Sequence, residues 1–232
     1  MRSLILLFAL ALAGVFAPAH AQQALPGLTE GVHYRTIDGG RQYAALAPGM
    51  VEVAEVFHYT CPHCAHFSPM LENWKTTLPK HARLVLVPAV FGGDDAFARV
   101  VFAAQTAKSH AVLHPRLFAA LHETASLPRN ASVAQLQAFA QAVPGVNGKA
   151  LAAALADETR LQGKLRYANE FARRSQIEGT PSLVVGGRYL ILGNSYQALL
   201  DNARAVVDAL APAKAPARKT APVRPAVAPA RP

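Results

Sequence analysis

Two thiols, Cys61 and Cys64, make up the whole cysteine content of this 232-residue chain, and they stand two residues apart as Cys61-Pro62-His63-Cys64. Such a pair can close a disulfide, exchange it with another thiol, or ligate a metal. In exchange the attacking species is a thiolate, so what matters is whatever lowers the pKa of one sulfur. Thr60 is placed to cap a helix that begins here, and Pro62 suits its first position because it has no N–H to leave unbonded. Cys61 then stands at a helix N-terminus, where free N–H groups and the macrodipole favour negative charge. His63 adds to the effect by its charge or by donating a hydrogen bond. Cys64, about one turn further in, is expected to be more buried and placed to resolve a mixed disulfide on Cys61.

Three plainer readings compete. A structural disulfide closing so short a loop would contribute only about 2 kcal/mol, against about 3 kcal/mol for a fifteen-residue loop, so stapling is a weak motive. A zinc site could recruit His58, His63 and His66, but structural zinc wants four ligands in recognised spacings and there is no second C-x-x-C. A chance pair of inert core thiols fits poorly with an exported chain that has no other cysteine.

Export is read from the N-terminus. Met1-Arg2-Ser3 precedes an apolar run from Leu4 to Ala13, and the segment ends Ala19-His20-Ala21. One basic residue, a short apolar stretch and a small-x-small site predict a signal peptide over residues 1–21, cleaved after Ala21. The run is short for a membrane span of about 20 residues. The mature chain is expected outside the reducing cytosol, which for a bacterium means the periplasm.

At the other end, residues 212–232 are almost entirely Ala, Pro, Lys and Arg, a composition that cannot bury a core and predicts a disordered tail. Lys214, Arg218, Lys219, Arg224 and Arg231 supply five of the nine net positive charges. With Arg2 lost alongside the leader, the folded part carries only about +3, so the basic balance describes a tail and argues against a nucleic-acid-binding face.

The elements that must position the cysteines are legible between these ends. His33–Ile37 is a short extended segment, and Met50–Phe57 is a strand with period-two apolar positions. The helix opened by the cysteines runs to about Thr77, with Pro69 a kink. Arg83–Val90 predicts a buried strand parallel to the one before the cysteines, giving a β-α-β unit. From Asp94 to about Gln176 the spacing is helical. Apolar stripes run along Phe97, Val100, Val101 and Ala104; along Val133, Leu136, Ala140 and Val143 behind a Ser132 cap; and along Leu161, Leu165, Ala168 and Ala172. Pro181–Val185 and Arg188–Leu192 then form a hairpin over Gly186-Gly187, and Ser195 caps a last helix to about Leu210. The order specifies an α/β domain interrupted by helices.

Taken together, these residues resemble the thioredoxin superfamily and, within it, the DsbA family of periplasmic disulfide oxidants. The active-site dipeptide of Cys61-Pro62-His63-Cys64 is typical of that family. Glu55, six residues before Cys61, stands where the superfamily keeps a buried carboxylate beneath the sulfurs; otherwise Glu52 and Glu55 are strand residues facing water. Gly179-Thr180-Pro181-Ser182 is similar to the superfamily's cis-proline loop, and the helices between resemble this family's insertion.

The resemblance implies a thioredoxin fold with an inserted helical domain: residues 30–95 and 176–211 thioredoxin-like, 96–175 the insertion. It implies Cys61 as nucleophile, Cys64 as resolving thiol, Pro62 and His63 as their modulators, and Glu55 as proton acceptor or charge for Cys64. Pro181 is expected to be cis, turning the Thr180 backbone toward Cys61 to pair with an extended peptide. Many members carry a bulky aliphatic residue where this chain has Thr180, and His58 and Tyr59 are expected to make the approach to Cys61 more polar.

The implied function is a thiol:disulfide oxidoreductase that introduces disulfides into exported, unfolded proteins. It would act as a monomer with no bound cofactor or metal and no nucleic-acid partner, and be reoxidised by a quinone-linked membrane protein of the DsbB type. A dithiol reductase or isomerase is the alternative, and a metal- or peptide-binding module the alternative of a different class.

Overall fold

The computed structural model describes residues 24–90, 92 and 94–212; the expected leader (1–21) and, from residue 213 onward, the expected basic tail lie outside them. Five strands form one sheet: β1 (Tyr34–Thr36), β2 (Val51–Phe57), β3 (Ala82–Pro88), β4 (Ser182–Val185) and β5 (Tyr189–Ile191), in the order β1-β5-β4-β2-β3. β2 runs parallel to β3 and antiparallel to β4, with Glu55 opposite Leu86 on one side and Leu183 on the other. Helix α1 (Pro62–Lys75) makes the parallel crossover. Helices α2 (Ala96–Thr106), α3 (His110–His122), α4 (Val133–Ala142), α5 (Gly148–Ala156) and α6 (Glu158–Arg174) come between β3 and β4, and α7 (Tyr196–Ala209) closes the described chain.

All seven residues of β2 are buried, which explains why its period-two pattern is incomplete. A strand covered on both faces needs apolar side chains on both. Val51 and Val53 join one core with Phe67 and Leu71 of α1 and Leu200, Ala203 and Val206 of α7. Ala54 and Val56 join the other, with Phe97, Val100 and Val101 of α2 and Leu113 and Leu117 of α3. Alternation therefore turns Glu55 to the face of Val51 and Val53, which α1 covers. The expected burial of β3 is corrected: it is the edge strand, and only Val87 and Pro88 at its end are buried. Proline there is compatible with an edge position.

Local signals set most boundaries. Ser132 and Gln135 form a reciprocal capping box on α4, and Ser195 accepts from the Ala198 N–H at the start of α7. The β4–β5 turn places Gly186 and Gly187 at φ +60° and +69°, the left-handed region a two-residue hairpin turn of this kind requires. Gly187 is needed twice over, because a Cβ there would lie 2.0 Å from the carbonyl carbon of Arg41. Among the described residues no helix is long and apolar enough to cross a membrane.

Candidate active site

Central strand β2 delivers the chain to the cysteines. After Phe57 it turns through His58, Tyr59 and Thr60, and α1 begins at Pro62, with Cys61 itself in the capping position in extended conformation. The expectation that Thr60 caps this helix is corrected. Its hydroxyl is engaged at 2.8 Å by Nδ1 of His58, and no side chain caps α1. The open first turn is therefore left facing the Cys61 sulfur.

The two sulfurs lie in opposite environments. Cys61 is partly exposed and its thiol donates to the Thr180 carbonyl at 3.2 Å. Partial burial alone would raise its pKa, but hydrogen bonding from the Thr180 side chain, from the Cys64 N–H and thiol and from the His63 N–H outweighs it, and the net shift is downward. Cys64 is fully buried, and burial pushes its thiol far up. Hydrogen bonds from the His58 backbone and Thr180 offset only part of that, and nearby negative charge on Glu55 or Cys61 would add to it. One sulfur is disposed to be a thiolate and the other a thiol.

Glu55 is 2 % exposed, and burial, reinforced by the charges of Glu72 and Cys61, pushes its carboxyl up to about 8. It is a neutral acid near pH 7 that feels the sulfur of Cys61 and is felt by that of Cys64. Glu52 is buried as well, its carboxylate accepting from the N–H groups of Tyr43 (2.7 Å) and Ala44 (2.6 Å). Neither acid of β2 faces water.

The Thr180–Pro181 bond is cis, and both residues are half-buried beside Cys61. A recess of about 190 Å³ adjoins Thr180, walled by Val56, Val90, Ala172 and Ile177 together with the polar Asn169, Arg173 and Glu178. Pro62 and His66 are exposed on α1. His63 is exposed too, but its Nδ1 lies 2.9 Å from the hydroxyl of Tyr196.

His58 and Tyr59 do not make the approach to Cys61 more polar, because both turn inward. His58 Nε2 lies 3.0 Å from Asp95, whose other oxygen caps α2 at the Ala98 N–H. The Tyr59 hydroxyl meets Nδ1 of His114 at 2.8 Å, and the opposite nitrogen of His114 meets Ser68 of α1 at 3.2 Å. The carbonyl of Tyr59 accepts from Nε2 of His122 at 2.6 Å, and that of Thr60 from Arg129. Each residue of the short loop before Cys61 is thus bound to a residue of the segment between β3 and β4.

Tyr196, Asp95, His114, His122 and Arg129 escaped the reading of the sequence. His110 and His114 do form an H-x-x-x-H spacing, but both ring nitrogens of His114 are engaged by Tyr59 and Ser68. Among the described residues no group of three or more metal-capable side chains converges.

Residues 47–202 match the family model described as Thioredoxin. Among curated relatives, the thiol:disulfide interchange protein DsbA of Bordetella parapertussis is 31% identical over 203 residues, covering 83% of this chain and 88% of that one. The protein of the same name from Pseudomonas syringae pv. tomato is 31% identical over 82% and 85% of the two chains. Among solved structures, the oxidoreductase DsbA of Xylella fastidiosa superposes with a TM-score of 0.72 at 36% identity, over 80% of this chain and 97% of that one.

Proposed function

Since the chain belongs to the DsbA family of thioredoxin-fold thiol:disulfide oxidoreductases, which introduce disulfide bonds into proteins, we propose how its own residues divide that work. The observation that carries the proposal is the split between the sulfurs: a partly exposed Cys61 with a lowered pKa and a buried Cys64 with a raised one.

In the oxidised enzyme a substrate thiolate attacks the exposed Cys61 sulfur. The Cys61–Cys64 bond breaks, a substrate–Cys61 bond forms, and Cys64 leaves as a thiolate that takes up a proton. Glu55 is the group poised to supply that proton, being protonated near neutrality and coupled to the Cys64 sulfur. A second substrate thiolate then attacks the substrate sulfur and expels Cys61, a good leaving group because its thiolate is stabilised. The substrate has lost two electrons and two protons, and the enzyme holds a dithiol. Backbone N–H groups at the open start of α1 hold the Cys61 thiolate, with His63 beside it and Pro62 fixing the first turn.

The closeness of the Thr180 carbonyl to the Cys61 sulfur supports a role for the Thr180 backbone in strand-like pairing with an extended substrate peptide. The neighbouring recess, part apolar and part polar, has room for one side chain of that peptide. Unfolded exported proteins are the substrates this arrangement fits, since a folded chain rarely offers an extended free segment. Reoxidation falls to a quinone-linked membrane partner of the DsbB type. The protein works in the periplasm as a monomer, after cleavage of residues 1–21, with no bound cofactor. Residues 30–95 and 176–211 form the catalytic unit, and residues 96–175 its helical insertion.

Equilibrating the mature protein in graded glutathione buffers tests this. The pair is expected to lie well on the oxidising side of thioredoxin, and Cys64→Ser to accumulate a mixed disulfide between Cys61 and a substrate peptide. A thioredoxin-like potential would instead move a reductase or isomerase role ahead.

A further inference from the structure

An exposed histidine on the first turn of a helix is ordinarily free to spread over several rotamers. His63 is not. Its Nδ1 sits 2.9 Å from the hydroxyl of Tyr196, the first residue of α7. The phenol is itself held in place. Ser195 caps the helix turn on which Tyr196 stands, and the Tyr196 ring rests on the buried ring of Phe67, centroids 5.4 Å apart.

We propose that Tyr196 is a positioning residue for disulfide exchange: its hydroxyl latches the His63 imidazole beside Cys61 and stays bonded to it through both halves of the redox cycle. The proposal deepens the assignment of Cys61 and Cys64 as the exchanging pair and rests on it.

The chemistry of the two groups supports a latch that survives a change of charge. A phenol both donates and accepts. Facing a neutral imidazole with a bare Nδ1, the Tyr196 hydroxyl donates and leaves the ring proton on Nε2. Facing an imidazolium, it accepts from the Nδ1–H instead.

Tyr196 keeps its own proton throughout, because burial, then the negative charge of Cys61 and of Cys64, raises its hydroxyl above the ordinary tyrosine range. The same coupling places the phenol within the electrostatic reach of both sulfurs. His63 also presents its backbone N–H to Cys61, so holding the side chain steadies the donor as well. The contact further ties the start of α1 to the start of α7.

Tyr196→Phe keeps the ring on Phe67 and removes only the hydroxyl. In glutathione equilibration of the mature protein, this variant is expected to shift the dithiol–disulfide equilibrium toward the disulfide by about three- to tenfold, the scale of one ordinary hydrogen bond. The Cys61 thiolate absorbance should titrate at higher pH. Thermal unfolding of the dithiol form should be lowered more than that of the oxidised form, whereas a merely structural role for the hydroxyl would lower both alike.

In a His63→Ala background the same substitution should add nothing further. No shift in Tyr196→Phe overturns the proposal, and so does an equal shift with and without His63, which would mean the phenol acts on the sulfurs directly. On the unaltered oxidised protein, the nitrogen shifts of the His63 ring should report the Nε2–H tautomer, and a free mixture of tautomers overturns it without any variant. Failure of the underlying assignment would look different: the wild-type pair itself would not exchange with glutathione.

Discussion

Glu55 and Cys64 both hold their protons near neutral pH, and this leaves Cys61 as the one reactive sulfur. The consequence for Glu55→Gln is kinetic first. A neutral amide keeps the shape of the protonated acid but cannot pass its proton to a departing Cys64 thiolate. Stopped-flow oxidation of a dithiol peptide is therefore expected to slow by roughly tenfold or more, at the lower end of what a positioned acid or base contributes.

A thermodynamic signature accompanies it. The folded protein keeps a proton on Glu55 up to about pH 8, whereas the unfolded chain releases it in the ordinary carboxylate range. Between those limits the native state binds the extra proton, so this residue's contribution to stability is full at acid pH and is lost as pH rises. The slope is up to about 1.4 kcal/mol per pH unit. Urea unfolding of the dithiol form from pH 5 to pH 8 should show that decline, and Glu55→Gln should flatten it. An identical slope in the variant would remove Glu55 from the account.

At the scale of elements, the active-site loop and the helical insertion are joined by Asp95, which caps α2 with one oxygen and meets His58 with the other. Asp95→Ala gives up a helix cap, about 1 kcal/mol, and removes a hydrogen-bond partner of the buried His58 ring, about 1–3 kcal/mol. Destabilisation of roughly 2–4 kcal/mol by urea titration is expected, together with faster amide hydrogen exchange at residues 58–61. Loss of stability without loosening of that loop would mean the pair is only a cap.

This same junction marks where sequence reading stopped. Cysteines 61 and 64, the strand before them, the Gly186-Gly187 turn and the Ser132 and Ser195 caps are set by neighbours within a few residues, and local pattern exposes them. The inward turn of His58 and Tyr59 is set by Asp95, His114 and His122, all at least 37 residues away. No local rule distinguishes a histidine that greets substrate from one that binds a distant helix. Thr60 misled for a related reason: it is a cap-forming residue in a cap-like place, with its hydroxyl already taken by His58. The apolar run of β3 was legible, but whether a run ends up central or at an edge depends on which strands arrive later in the chain.

For the molecule as a whole, redox state and stability are one linked quantity. Only the folded dithiol offers the Cys61 thiolate the open turn of α1, and a disulfide forfeits that interaction. What the disulfide returns by constraining the unfolded chain is small for so short a loop, about 2 kcal/mol. The dithiol form is expected to unfold at higher urea than the disulfide form, in parallel titrations at pH 7. A more stable disulfide form would contradict the claim that the thiolate is specially held. The same comparison on a chain ending at residue 212 should give the same difference, since the groups that act on the two sulfurs come from residues 55–180.

During turnover this protein is also a tether. A mixed disulfide joins Cys61 covalently to a chain that is collapsing into its own shape, and a collapsing chain pulls. Cys61 hangs from the end of β2, the strand hydrogen-bonded on both sides and in register with β3 over seven residues. Tension directed along β2 loads those bonds in shear, all together, because they lie across the line of pull. Residues 58–60, bound to the start of α2, to α3 and to Arg129 of the loop after α3, spread the remaining strain sideways. The site is anchored like a mooring post, able to hold a restless client until its second sulfur arrives.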